Sequence, residues 1–382
     1  MAACAGEAAL GILSRIFGRG AAKPAVEAQR GEVEGDDESW LVNAYATLRE
    51  VPPLDFPHRL INRRDLSDPE MAGHLEGFAG YVMGRGDGRM TAQRYHLWRH
   101  IQRVRNQASF TVADEDLPAM GAWARRANAV LFFPDGSVRD ADMNALITAD
   151  GSTDTAAALP YPPDALERRT RTLAALEGFT PKPPASMPPS LGIGEVELRP
   201  AGEVLARALG LICVATQGES MGKGDGSLLT KLRERNPAGI AALTPREQAF
   251  MLAEAPDNQT TVAMGWRYEA VNILAWALSI DGIEPGPADR IVDAGTLTLA
   301  MLKSAQDKDL PARVSLRPAA EILDALDLAW RQHWIVRQAR QNGTEPVGLD
   351  GGVVMERHFA LNWLTGFHNP PGTLWDDTDT PS

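Results

Sequence analysis

Acidic residues, arginines and histidines lie within strongly apolar helical patterns in the last third of the sequence. Side chains of these types could transfer protons or bind a charged ligand. Glu269 shares a predicted helical face with Ile273 and Trp276, and Glu356 shares one with Trp363. Ionised groups among tryptophans must be paired or wet, because burying an unpaired charge is costly. Arginines in the same segments could grip these carboxylates with two parallel hydrogen bonds. The candidate set is Arg267, Glu269, Asp327, Arg331, His333, Arg337, Glu356, Arg357 and His358.

Two interpretations of this set remain open. In the functional one, the groups converge on a pocket in which His333 or His358 carries protons and the carboxylates set its pKa. In the structural one, the same groups form salt bridges that fix the order of the helices. Neighbouring helical residues point about 100° apart, so Glu356, Arg357 and His358 cannot all face one small site.

Two other motifs resemble ligand sites but lack parts that the chemistry needs. His96 and His100 have the i, i+4 spacing that can chelate zinc, but two arginines share their face and no third ligand stands nearby. Residues 218–226 contain a Gly-Lys pair, but the glycine spacing is wrong for a phosphate loop and no Ser or Thr follows the lysine. We predict a helix-to-helix loop there, opening with Gly218 as a helix cap, and we expect no metal and no cofactor.

Composition restricts the class of protein. The chain has 382 residues, a hydrophobic fraction of 44% and a formal net charge of -12. The negative charge argues against nucleic-acid binding, which needs a basic surface, and would suit a basic protein partner. No apolar run is long enough for a membrane span. The two cysteines form no disulfide framework and fit a reducing compartment, so we expect a cytoplasmic protein. The composition leaves the oligomeric state open.

Four regions can be distinguished along the chain. Residues 1–38 are expected to be a disordered or weakly helical tail, because an acidic run follows one short apolar stretch. Residues 39–150 are expected to form an α+β domain. Residues 151–195 read as a helix plus a Pro-rich linker, since five of the eleven residues from Thr180 to Ser190 are proline. Residues 196–382 are predicted to be an all-α domain, so helices dominate overall.

Capping and periodicity place several elements within these regions. A capping box at Ser67 predicts that a helix begins there, and an apolar stripe predicts a helix over 92–108. The run 129–133 reads as a buried strand, with a second strand returning from Val138. The C-terminal domain is predicted to have about six helices, with the Trp-rich helix 318–342 at its centre.

Three of these helical segments carry a resemblance to a known family. They are the runs Trp266–Leu278, Glu321–Trp334 and Val354–Leu364. In this order they resemble the bacterial family catalogued as domain of unknown function 4272, over residues 196–378. The stretch His74-Leu-Glu-Gly-Phe78 is similar to the N-terminal portion that longer members carry. The resemblance implies an architecture, but no established activity and no catalytic residue.

Two functional hypotheses follow from the sequence. The first is a non-catalytic protein-interaction module. Its acidic charge would suit an inhibitor- or antitoxin-like role against a basic partner. The alternative is an enzyme or small-ligand-binding protein with its site among the charged residues of the C-terminal helices. The two differ in one testable feature, because a site needs those side chains to line a water-accessible cleft, whereas a structural network keeps them dry and mutually paired.

Overall fold

The computed structural model describes residues 39–223 and 227–382 and divides the chain into two compact units, with the boundary between Tyr161 and Pro162. The first unit combines a sheet with helices and the second is helical, so the predicted fold class is confirmed. The tail predicted over 1–38 lies outside the described residues. Within the described chain, every helix is too short or too polar to cross a lipid bilayer.

A six-stranded sheet forms the centre of the first unit. All neighbouring strands are antiparallel, and their order across the sheet is β2-β3-β1-β4-β5-β6. Their bounds are β1 (Ser39–Ala46), β2 (Arg59–Asp65), β3 (Asn106–Ala113), β4 (Ala129–Phe132), β5 (Val138–Arg139) and β6 (Ala145–Ile147).

The two edges of this sheet differ. At the β6 edge, the carboxylate of Asp154 accepts from the Ala145 N–H at 2.6 Å and the Asp154 N–H donates to the Ala145 carbonyl at 2.9 Å. The chain after β6 therefore folds back over that edge. At the other edge, β2 has β3 on one side and no strand of the described chain on the other.

Each face of the sheet has its own apolar core. Three helices supply the outer layers: α1 (Met71–Met83), α2 (Ala92–Arg103) and α3 (Leu117–Ala127). Val42 and Phe110 pack with Trp123 of α3 on one face, and Tyr45 packs with Phe78 of α1 and Leu97 of α2 on the other. Strand residues alternate between these cores because successive side chains point to opposite faces.

Two predicted helix limits in the first unit are wrong. The Ser67 hydroxyl donates to Asp65 Oδ1 at 2.6 Å and caps no helix, so α1 begins only at Met71. The helix predicted over 92–108 ends at Arg103, and Ala108 lies in β3 opposite Ala44 of β1. Pairing with a strand far away in the sequence overrides the local helical stripe.

The second unit is built from helices of very different lengths. We predicted about six helices for 196–382, but the described residues of this region form ten, because periodicity cannot detect helices as short as α7 and α12. The unit comprises α4 (Pro163–Ala175), α5 (Ala201–Lys223), α6 (Ser227–Arg235), α7 (Pro237–Ala241), α8 (Pro245–Leu252), α9 (Asn258–Gly265), α10 (Arg267–Ala277), α11 (Ala294–Gln306), α12 (Leu310–Arg313), α13 (Ala319–Gln341) and α14 (Gly351–Thr365).

Helix α5 lies at the centre of this unit, so the prediction that the segment 318–342 is central is wrong. Helix α5 packs against each helix from α6 to α11, whereas α13 packs mainly against α14 and α4. The four consecutive residues Leu211–Val214 of α5 are fully buried, as is typical of a helix that is apolar all round. Helix α13 exposes one side to water, including Arg337.

The predicted loop after Gly218 is also corrected. Helix α5 continues through Gly218 to Lys223, and only the residues 224–226 of the predicted loop lie outside the described chain. A Cβ atom at Gly218 would stand 2.7 Å from the backbone nitrogen of Gly265. This glycine therefore permits the close approach of α5 and α9.

Candidate functional site

Two crossed ion pairs join α10 to α14. Arg267 Nη1 donates to both carboxylate oxygens of Glu356, at 3.1 and 3.0 Å. Arg357 donates through Nε and Nη2 to Glu269 Oε2, at 3.2 and 3.1 Å. Glu269, Glu356 and Arg357 are buried and Arg267 is half-buried. Four of the nine candidate residues thus meet between two helices, and their charges compensate one another.

Local sequence explains why the two helices meet at this point. Asp350 caps the start of helix α14, since its carboxylate accepts from the N–H groups of Gly352 and Val353 at 2.8 and 3.1 Å. A Cβ atom at Gly352 would stand 2.5 Å from the Trp266 ring, so only glycine lets α14 lie against the start of α10. This close approach brings the crossed ion pairs within bonding distance.

The same buried groups also hold the chain that connects α10 to α11. Glu269 Oε1 accepts from the Val292 N–H at 2.6 Å, and Arg357 Nη1 donates to the Gly286 carbonyl at 3.1 Å. Asn272 Nδ2 donates to the carbonyls of Glu284 and Pro285 at 3.0 and 3.2 Å. The polar face of α10 is therefore completed by the backbone of this connection.

The connection itself carries charge on its outer side. We call residues 281–293 the acidic segment, because it holds four acids and one arginine. All four acids, Asp281, Glu284, Asp289 and Asp293, are exposed, and the apolar side chain of Ile291 is 59% exposed. The segment has no helix or strand between the end of α10 and the start of α11. Buried hydrogen bonds from its inner side thus hold a charged, irregular surface.

Asp327 and Arg331 form a second group inside α13. Arg331 Nε donates to Asp327 Oδ2 at 2.9 Å, and Arg331 Nη2 donates to Asp327 Oδ1 at 3.1 Å and to the Pro188 carbonyl at 2.9 Å. Both side chains are fully buried. Arg168 of α4 similarly donates to the Leu191 carbonyl at 2.8 Å. These buried arginines fasten the Pro-rich stretch onto the helical unit.

His333 of α13 and His358 of α14 form a third group. Their Nδ1 atoms are 2.8 Å apart, so one ring donates and the other accepts. Burial, with smaller contributions from the charges of Arg337 and Arg340, lowers the pKa of His333 to about 4. Burial and the neighbouring His333 lower the pKa of His358 well below its ordinary value. Both rings are therefore neutral at pH 7.

Arg337 makes no hydrogen bond to any of these groups within the described residues. Its side chain is exposed, and its Nη1 donates to the Ser382 carbonyl at 2.8 Å. The structure thus distributes the nine candidates over four sets of contacts, and Glu356, Arg357 and His358 have three different partners. Sequence reasoning missed the Gly286 carbonyl and the Val292 N–H, since backbone groups leave no signal in residue types.

The structure also gives the surroundings of His100, one of the two histidines with the spacing of a zinc motif. His100 is buried, and its Nε2 lies 3.2 Å from the Tyr45 carbonyl. Burial lowers the pKa of His100 to about 3. No group of three or more His, Cys, Asp and Glu side chains suited to a metal ion occurs in the described ranges 39–223 and 227–382.

Comparison with known proteins identifies the helical unit alone. A family model described as a domain of unknown function, number 4272, matches residues 167–378, which is more than half of the chain. No curated protein and no solved structure matches the chain significantly.

Proposed function

The chain belongs to the domain of unknown function 4272 family, and from that premise we propose that it is a non-catalytic protein-interaction module whose acidic segment binds a basic region of a partner protein. One observation supports this proposal above all others. Glu269 and Arg357, which sequence patterns could equally assign to a catalytic site, bond to the backbone of an exposed surface segment, as does Asn272.

Preorganisation is the first argument for a binding surface. Ordering a free loop costs roughly 1–2 kcal/mol for each residue that is fixed, and this cost opposes binding if it arises on association. In this protein, hydrogen bonds to the backbone of Glu284, Pro285, Gly286 and Val292 already hold the segment. A partner would therefore meet a surface that is ordered in advance.

Charge and exposure define the kind of partner. The acidic segment has four exposed carboxylates and one arginine of its own, and the exposed Ile291 offers an apolar contact among them. Glu284 lies 4.0 Å from Arg317, and Asp293 caps α11 by accepting from the Thr296 N–H at 2.6 Å. Complementary charge speeds encounter and selects partners, while an apolar anchor adds affinity. A basic protein surface with a small apolar recess fits both features.

A catalytic site among the candidate residues draws less support from the geometry. A general acid or base must reach the proton of a substrate and have a pKa near the working pH. The two histidines are buried and hydrogen-bonded to each other, and the pKa of His333 is about 4. The carboxylates of Glu269 and Asp327 are bonded to arginines.

If the partner is a basic protein, the acidic protein could cover its basic surface, which would be an inhibitor- or antitoxin-like role. The net charge of -12 argues against nucleic acid as the target. Cys213 is free and buried, and we propose a bacterial cytoplasmic location, in which thiols stay reduced.

The proposal is tested by capture of partners from native cells with the full chain. The informative variant is Asp281→Asn/Glu284→Gln/Asp289→Asn, which removes three exposed carboxylates and keeps their size. The matched control is Glu254→Gln/Asp376→Asn/Asp377→Asn, which removes three exposed carboxylates elsewhere in the helical unit. We expect one basic protein to be recovered with the wild type and the control but not with the segment variant.

Two results would contradict the proposal. Equal recovery of the partner by both triple variants would show that the acidic segment is not the binding surface. Recovery of a small molecule and no recurring protein would instead support the enzyme or ligand-binding alternative. Mass spectrometry of both proteins and small molecules distinguishes these outcomes.

A further inference from the structure

A cavity of about 390 Å³ lies on one face of the sheet in the first unit. Its floor consists of Ala44, Ala46 and Ala108, which are neighbours on β1 and β3. Larger side chains at these positions would fill the space, because strand residues that face each other stand only about 5 Å apart at Cβ. The alanines thus create a recess inside an otherwise well-packed face.

The walls of the cavity are held in place by hydrogen bonds. The Trp123 indole Nε1 donates to the Pro52 carbonyl at 2.9 Å, and Asn106 Nδ2 donates to the Leu48 carbonyl at 2.7 Å. These bonds fix the segment between β1 and β2, from which Val51 and Leu54 also line the cavity. The recess is therefore largely preformed, and the half-buried Val51 and Leu54 offer aliphatic groups to a ligand, whereas the Trp123 ring is almost fully buried.

Two opposite charges stand at the rim on β2. The strand register places Arg63 opposite Ala108 and Asp65 opposite Asn106, so both side chains lie on the face that bears the cavity. Arg64 and Asp68 also line the cavity, but these two side chains pair with each other at 3.4 Å. Arg63 and Asp65 are thus the charges of the lining that form no ion pair within the described residues.

Both rim charges are available to a ligand. Within the part of the chain that the structure describes, the Arg63 guanidinium makes no hydrogen bond, ion pair or ring contact. Asp65 Oδ1 accepts from the Ser67 N–H at 2.8 Å and from its hydroxyl at 2.6 Å, and these bonds lower the pKa of the Asp65 carboxyl. Asp65 Oδ2 accepts no hydrogen bond from the described residues.

We propose that this cavity binds a free α-amino acid with a large apolar side chain, and this site goes beyond the proposed protein-interaction function. Arg63 would take the carboxylate, Asp65 the ammonium group, and the alanine-floored recess the side chain. A simple carboxylate would be repelled by Asp65 and a simple amine by Arg63, whereas a zwitterion satisfies both. The volume is within the range of small-molecule sites, which starts at about 300 Å³.

Calorimetric titration of the full chain tests this site. The probes are L-phenylalanine and L-leucine, with glycine as the ligand that lacks a side chain. Two analogues of phenylalanine each lack one charge: 3-phenylpropionate has no ammonium group and phenethylamine has no carboxylate. We expect both apolar amino acids to bind, and each analogue to bind at least about tenfold more weakly, which corresponds to the loss of one charge-assisted contact.

Variants on β2 and β3 locate the binding. Arg63→Gln and Asp65→Asn should each weaken binding by about tenfold or more, and Ala108→Leu should abolish it by filling the floor. Arg59→Gln is the matched control, because Arg59 is exposed on the same strand but does not line this cavity. Its affinity should equal that of the wild type. Circular dichroism of each variant verifies that the sheet is retained.

Several outcomes would overturn the proposal. One is the absence of heat with all twenty standard L-amino acids at concentrations that detect a Kd of about 1 mM. Another is equal weakening by Arg63→Gln and Arg59→Gln, which would indicate a diffuse effect of charge. A third is binding of 3-phenylpropionate as tight as that of phenylalanine, which would remove the role of Asp65.

Discussion

The two units use charged side chains in opposite ways. In the helical unit, Glu269 and Arg357 are buried and bonded to each other and to the backbone. In the first unit, which contains the sheet, Arg63 and Asp65 lie at the surface beside a cavity and form no ion pair with each other. The comparison teaches that charges spaced along an apolar helical face are those that become buried, pair with one another and stabilise the fold. The two charges to which we assign ligand binding lie beside a recess, where no apolar helical pattern reveals them.

Glu269→Ala should produce the largest effect, because it leaves the buried Arg357 without its carboxylate and the Val292 N–H without an acceptor. Breaking a buried ion pair by removal of one partner costs about 3–5 kcal/mol. We expect a loss of this size in the free energy of unfolding, measured by urea titration at pH 7. If the loss stays below about 1 kcal/mol, which is typical of an exposed pair, the contrast between the units fails.

The double variant Glu269→Leu/Arg357→Leu is the control for this interpretation. Removing both charges leaves no unpaired ion in the interior, so the double variant should be more stable than Glu269→Ala. It should nevertheless disturb the acidic segment, because Gly286 and Val292 lose their buried partners. Faster proteolysis within 281–293 would report that second effect.

Acid should weaken the helical unit through the buried histidine pair. The pKa of His333 is about 4 in the folded protein and 6.5 when unperturbed, so the unfolded chain binds the proton first as the pH falls. The stabilisation is complete above pH 6.5 and is lost toward pH 4, at about 1.4 kcal/mol per pH unit for one histidine. Urea titrations of wild type and His333→Gln between pH 7 and pH 5 measure the difference in slope.

Glu356 has the opposite effect on the pH dependence of the free energy of unfolding, so the measurement must take it into account. Burial raises the pKa of the Glu356 carboxyl despite the neighbouring Arg267, so protonation of this group favours the folded state as the pH falls. Because Glu356 is present in both proteins, its contribution cancels in the comparison with His333→Gln. Equal slopes for the two proteins would exclude the histidine pair as the acid-sensitive element.

Arg337→Gln and Arg63→Gln should have the smallest effects on stability. Both side chains are exposed, and surface substitutions of this kind change the free energy of unfolding by less than about 0.5 kcal/mol. A thermal melt of each variant beside the wild type measures this. A loss above about 2 kcal/mol for Arg63→Gln would show that the rim charge is structural, and would remove the distinction between the two units.

Sequence reasoning located the elements whose signal is local. The run 129–133, predicted as a buried strand, contains β4, and the strand predicted from Val138 is β5, which pairs with it. Strand β2 was missed, because its sequence Arg-Leu-Ile-Asn-Arg-Arg-Asp has no apolar alternation and its residues are mostly exposed. Strand β1 pairs with β3 from sixty or more residues away, and no local pattern encodes that pairing.

The candidate site shows the same limit. Spacing along α10 and α14 placed Glu269 and Arg357 among apolar residues and required that both be paired or wet. It could not select Arg357 from the several arginines available to Glu269, because that choice depends on the approach of two helices at Gly352. The cavity escaped notice because alanines in strands look unremarkable until the register aligns Ala44 with Ala108.

The unequal edges of the sheet limit how copies of the unit could join. A strand can be added beside β2, where the described chain leaves backbone groups facing outward, but the return of Asp154 over β6 blocks growth on the opposite side. Association through strands would therefore stop once two open edges had met. A sheet closed on one side cannot template a filament, which protects an exposed edge from indefinite polymerisation.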